Sequence, residues 1–116
     1  MVLGEFVDIM KKFKNKERCV LTTMVKNNID LVDRHITVLM TLQRKQPMGI
    51  TELSEITKYP QHKIRYSLQV LEQEGLIKPS IQGAVTTENV DNIIKRLKNS
   101  IHEVSTAYNE LLKKLQ

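Results

Sequence analysis

Eight apolar residues, Val90, Ile94, Leu97, Ile101, Val104, Tyr108, Leu111 and Leu115, follow one another at alternating steps of four and three, with neither proline nor glycine between them. Residues at that spacing lie on one stripe of a helix. A helix over Glu88–Gln116 extends ~40 Å at ~1.5 Å per residue, farther than a small domain can cover. The spacing therefore predicts a coiled coil between two copies of the chain, with these eight residues as the dimerisation seam. The alternative is an amphipathic helix folded back on its own domain, which Ile93, Ala107 and Leu112 favour by widening the stripe. The flanking residues Asp91, Lys98 and Lys114 supply few opposite-sign pairs, so parallel and antiparallel pairing both stay open.

Upstream, punctuation by proline and glycine divides the chain into short elements. Leu3, Phe6, Val7, Met10 and Phe13 fall at helical spacing, and the charged stretch Lys14-Asn15-Lys16-Glu17-Arg18 ends that first helix. Cys19 to Val25 reads as a second helical segment, or as a continuation, with Cys19 buried as a small hydrophobe. After Asn27-Asn28 a longer helix is expected, N-capped by Asp30, burying Val32, Ile36, Leu39 and Leu42, and stopping near Gln46 before Pro47 and Gly49. Thr51 is the expected cap of a short helix through Lys58, with Leu53 and Ile56 facing inward. Tyr59-Pro60 interrupts it, and a third helix runs from Pro60 to Gly75. Leu76–Ile81 and Ala84–Thr87 then read as two strands about a Gln82-Gly83 turn, with Pro79 requiring an edge position. The predicted organisation is an N-terminal helical segment over 1–27, a compact unit over 28–87 and a dimerisation helix over 88–116. The fold class is mainly α with a two-stranded β-hairpin.

Composition narrows the function classes. Among 116 residues there is no Trp and there are only two Phe and three Tyr, so the core must be Leu, Ile, Val and Met. A single cysteine excludes an intramolecular disulfide, and no run approaches the ~20 apolar residues needed to span a bilayer. No membrane partner is expected, and a cytoplasmic location is the default. His35, His62 and His102 are scattered without carboxylate or cysteine partners at ligand spacing, and the four glycines form no phosphate loop. Catalysis, a metal site and a cofactor are therefore not expected, and no small-molecule effector is inferred.

The formal charge of +5 attracts polyanions, and its distribution is more informative than its size. Lys11 to Arg18 holds five bases and one acid, either a solvated helix end or a phosphate-contacting patch. Lys58 to Ser80 holds four bases and two acids. On a helical wheel Ile64, Leu68 and Leu71 share one face of the third helix, while His62, Tyr66, Gln69 and Gln73 lie opposite, flanked by Lys63 and Arg65. Amide, imidazole, phenol and guanidinium groups pair with base edges, Arg65 with guanine and Gln61 or Gln69 with adenine. Lys58, Lys63 and Lys78 suit phosphate, and Gln82 sits in the hairpin turn. Helix, short helix, turn, helix and hairpin within Asp30–Thr87 is the order of a winged helix, whose third helix is presented to the major groove of double-stranded DNA.

The phrases Thr51-Glu52-Leu53-Ser54-Glu55-Ile56 and Leu71-Glu72-Gln73-Glu74-Gly75-Leu76-Ile77, with Ile64 and Leu68 between them, resemble winged-helix transcription regulators of bacteria and archaea. With the long C-terminal helix, the whole chain is similar to small archaeal Lrs-type regulators and winged-helix chromatin proteins. That resemblance implies a homodimer joined by its C-terminal helices and presenting two winged helices to DNA. The sequence departs from the pattern at Pro60-Gln61-His62-Lys63, where a Ser- or Thr-rich cap is usual, and in a hairpin tip without arginine. Two other uses of the fold remain: a protein-interaction module, and an architectural protein that coats DNA with little sequence preference.

Overall fold

The computed structural model describes residues 19–116. The expected helix over Leu3–Phe13 and the basic run Lys11–Arg18 lie outside these residues. Four helices and one hairpin make up the rest: α1 Val20–Arg44, α2 Ile50–Thr57, α3 Gln61–Gln73, β1 Ile77–Ser80, β2 Gly83–Thr86 and α4 Val90–Leu115. The mainly helical class with a two-stranded antiparallel wing and a long C-terminal helix is as the sequence predicts.

The first correction concerns α1, which runs unbroken for 25 residues through Asn27-Asn28 and leaves Asp30 inside the helix instead of capping it. Asparagine costs a helix only ~0.7 kcal/mol relative to alanine, too little to stop one that is extended on both sides. Cys19 is the N-cap residue and is exposed, against the expectation of burial. The hydroxyls of Thr22 and Thr23 both donate to its carbonyl oxygen, at 3.3 and 2.9 Å. The buried stripe of α1 is Val38, Leu39 and Leu42, whereas Ile36 is half-buried and Val32 is 41% exposed. The apolar contact is concentrated in the C-terminal half of α1, so the stripe matters only there.

Helix α2 begins after Gly49 and receives no side-chain cap, which displaces Thr51 from its expected role. Leu53 is completely buried but Ile56 is half exposed, because an eight-residue helix offers only one full stripe to its neighbours. Its last residue is Thr57, and Lys58 adopts φ 68°, a left-handed conformation that redirects the chain into α3. Ser54 fastens the turn by donating its hydroxyl to the Tyr59 carbonyl at 2.7 Å. Pro60 occupies the N-cap of α3, and its carbonyl accepts from the amides of Lys63 and Ile64.

The C-terminus of α3 closes as a Schellman motif. Gly75 has φ 78°, its amide reaches the Glu72 carbonyl, and the Leu76 amide reaches that of Leu71, each at 3.0 Å. Leu71 and Leu76 are both buried, supplying the apolar contact that accompanies this cap. From there the chain enters the hairpin, in register Ile77↔Thr86, Lys78↔Val85, Pro79↔Ala84 and Ser80↔Gly83. The connecting turn is thus Ile81-Gln82, one residue earlier than expected.

Sequence patterning missed a third participant in this small sheet. Met48 bridges Ala84 through N–H to O contacts of 3.2 and 2.8 Å, and the Gln46 side-chain oxygen accepts from the Thr86 amide at 2.6 Å. The segment between α1 and α2 therefore covers the edge of β2 that β1 leaves open. The pairing requires glycine at position 83, where a Cβ would stand 2.5 Å from the Met48 carbonyl carbon and φ is 136°. Pro79 is on β1, at the free edge of the sheet, where its missing amide hydrogen costs nothing.

Val38, Leu39, Leu42, Met48, Leu53, Ile64, Leu71, Leu76, Ile77 and Val90 form the core, all aliphatic or Met as composition requires. Each fully buried side chain of this size contributes roughly 1.5–3 kcal/mol of transfer free energy. Helix α4 joins the core through its first turns alone, with Val90 buried and Ile93 and Ile94 packed against it. Beyond Ser100 every residue of α4 is exposed.

Candidate nucleic-acid interface

Helix α3 lies over α1 and α2 with Ile64, Ser67 and Leu71 buried. This fixes the opposite face outward. Gln61, His62, Lys63, Arg65, Tyr66 and Gln69 are all exposed on the same helix, so six of the nine predicted contact residues share one element. The face is polar and cationic in its N-terminal two-thirds, and Glu72 and Glu74 follow at the end nearest the hairpin. No side chain on it forms a salt bridge among the described residues.

The other three predicted residues flank this face. Lys58 is exposed at the left-handed turn between α2 and α3. Gln82 is exposed at the hairpin tip beside Ile81, whose side chain is fully solvated. Lys78 lies on β1 and pairs with Glu88 at 3.2 Å, and that ammonium holds the Glu88 carboxyl below its usual range. Both side chains of the pair are largely exposed, so salt screens the contact.

Behind α3 is a polar cluster that sequence reading did not find. Ser67 is completely buried, and its hydroxyl oxygen accepts from Nε of Arg34 at 3.0 Å. It also lies 2.8 Å from Nδ1 of His35. Burial and the neighbouring Arg34 charge lower the His35 pKa, favouring the neutral ring, whose Nδ1 can accept the serine proton. Tyr66 flanks the cluster, with its ring centroid 5.8 Å from that of His35 and 5.9 Å from the Arg34 guanidinium carbon, which lies over the ring. A serine at an inward wheel position and two consecutive polar residues on α1 were the only available signal.

The predicted dimerisation residues divide along α4. Val90 is buried, Ile94 and Leu97 are half-buried, and the remaining five are exposed, from 39% at Tyr108 to 86% at Leu115. Val20, Leu21 and Met24 at the start of α1 are exposed as well. No cluster of three or more His, Cys, Asp or Glu able to hold a metal occurs among the described residues. None of their helices is long and apolar enough to cross a membrane.

Short helix, tight turn, outward-facing helix and hairpin, built on a longer first helix, define a winged helix-turn-helix domain. In agreement, residues 33–78 match the family model of bacterial regulatory proteins of the arsR family. The match covers α1 from Asp33 onward, α2, α3 and the start of β1, and it supports a DNA-binding regulator of transcription. No curated protein matches the chain.

Proposed function

We propose that this chain is a homodimeric transcription regulator that reads the major groove of double-stranded DNA with α3, and that it acts by binding, without catalysis. The observation that carries the reading is the outward face of α3, where amide, imidazole, phenol, guanidinium and ammonium groups stand together while an aliphatic core fixes the helix behind them. Gln61, His62, Arg65, Tyr66 and Gln69 are assigned to base edges, and Lys58, Lys63, Lys78 and Gln82 to the flanking backbone. The exposed seam of α4 supports pairing of two chains through Ile101, Val104, Tyr108, Leu111 and Leu115, continuous with Val90, Ile94 and Leu97. The layout resembles that of the small archaeal Lrs-type regulators; a cytoplasmic location goes with this reading, and no small-molecule effector is inferred.

Titration of duplex binding at several salt concentrations tests the proposal. Binding must weaken linearly in log K against log salt, and Arg65→Ala must lower affinity roughly tenfold or more while the oligomeric state is unchanged. Binding to a protein partner that persists through moderate salt, with no duplex association even in dilute buffer, overturns it. Equal affinity for a target promoter and a random duplex identifies an architectural coat instead, since a regulator discriminates by ~10³ or more.

A further inference from the structure

The cluster behind α3 contains a cation without an ion-pair partner among the described residues. Arg34 is partly buried and forms no salt bridge among the described residues, and its one hydrogen bond there uses Nε. Holding a guanidinium partly out of water without a direct ion pair costs desolvation energy, which an arriving anion offsets. The group is also unusually well fixed for a surface arginine. Ser67 is sealed from solvent, so water does not compete for its oxygen, and the His35 ring holds the serine hydroxyl from the other side. The Tyr66 ring supports the guanidinium at 5.9 Å.

The direction of this fork matters. Tyr66 belongs to the outward face of α3, so the guanidinium above it extends that face sideways by one residue, from α1. With Nε committed to Ser67, the Nη groups are the donors left for a ligand, and a planar pair of N–H donors fits two phosphate oxygens. We propose that Arg34 is a phosphate-binding residue of the DNA interface, held in register with α3 by Ser67 and Tyr66. The inference rests on the reading of α3 as the DNA-contacting helix.

Arg34→Gln isolates the contact. The glutamine Nε2 occupies the place of the arginine Nε along the side chain, so the bond to Ser67 is retained while the charge is lost. Duplex binding is measured from about 50 to about 200 mM salt together with thermal unfolding. The expected result is an unchanged unfolding midpoint and a log–log salt slope smaller by about 0.9 for each copy of the chain bound. The same slope in Arg34→Gln and parent overturns the assignment while leaving the role of α3 intact. A parent chain with no salt-dependent duplex binding overturns both. If the glutamine variant loses its helical signal, Arg34→Met, which keeps its stem against Tyr66, is read in the same way. Loss of fold in both variants makes Arg34 a purely structural clasp and ends the proposal.

Discussion

At the scale of single residues, the informative positions are those where a polar group is buried. Ser67 occupies an inward site of α3 that pattern alone assigns to an apolar residue, yet its hydroxyl is satisfied on both sides by Arg34 and His35. Such a site is invisible in the sequence because its partners are 32 and 33 positions away. A pH dependence follows from it. The groups facing His35 are Arg34 on its own helix and Ser67 and Tyr66 on α3, and burial with the Arg34 charge depresses its pKa in the folded state. The unfolded chain takes up the proton near pH ~6.5, before the folded one does, so stability is fully present above that value and falls as pH drops below it. Chemical denaturation at about pH 7.5 and about pH 5.5 should show lower stability in acid. His35→Asn keeps an acceptor near Nδ1 but cannot charge, and should reduce that difference. An equal acid loss in both proteins refutes the linkage.

At the scale of elements, the helices and strands from Pro47 onward were legible, because each break there is enforced by a residue that cannot continue the helix or must reverse the chain, whereas Asn27-Asn28 suggested a break that α1 runs through. Pro47, Pro60 and Gly75 act this way, and the last does so through the left-handed turn its sequence setting implies. Helix starts were less legible. Asp30 and Thr51 are good capping residues, but α1 and α2 begin elsewhere, because helix continuation in one case and backbone pairing of Met48 in the other decide the boundary. The bridge of Met48 to Ala84 could not be read at all, since a two-residue contact carries no periodicity. It can be tested through the wing. Gly83→Ala forces a Cβ into the Met48 backbone at a φ that L-residues avoid, and should cost on the order of 2 kcal/mol or more. Thermal unfolding reads the loss, and a midpoint equal to that of the parent contradicts the packing described for the hairpin.

At the scale of the whole molecule, the hydrophobic seam of α4 is the feature that an isolated chain leaves unexplained. Its first turns are used by the domain, while Ile101, Val104, Tyr108, Leu111, Leu112 and Leu115 are exposed and lie outside the core of the described residues. The sequence signalled the length and periodicity of this helix, and its hand of pairing is not encoded by the few charges beside the seam. In the proposed dimer Ile101→Asp places a charge in the middle of the contact. Light scattering at micromolar concentration should then give the mass of one chain, and duplex affinity should fall by about two orders of magnitude as the two sites lose their linkage. Persistence of the dimer in that variant excludes this seam as its basis.

The root of α4 is tied to the far end of α3. The Thr87 hydroxyl donates to the Gly75 carbonyl at 2.6 Å, and its amide reaches the Leu76 carbonyl at 3.1 Å. In the proposed dimer this joint would act like the hinge plate of a caliper, carrying a change in how the long arms cross to the helices assigned to the duplex. In that dimer, half-sites offset from the preferred separation would then have to be met by twisting or bending the nucleic acid or by breaking these two bonds.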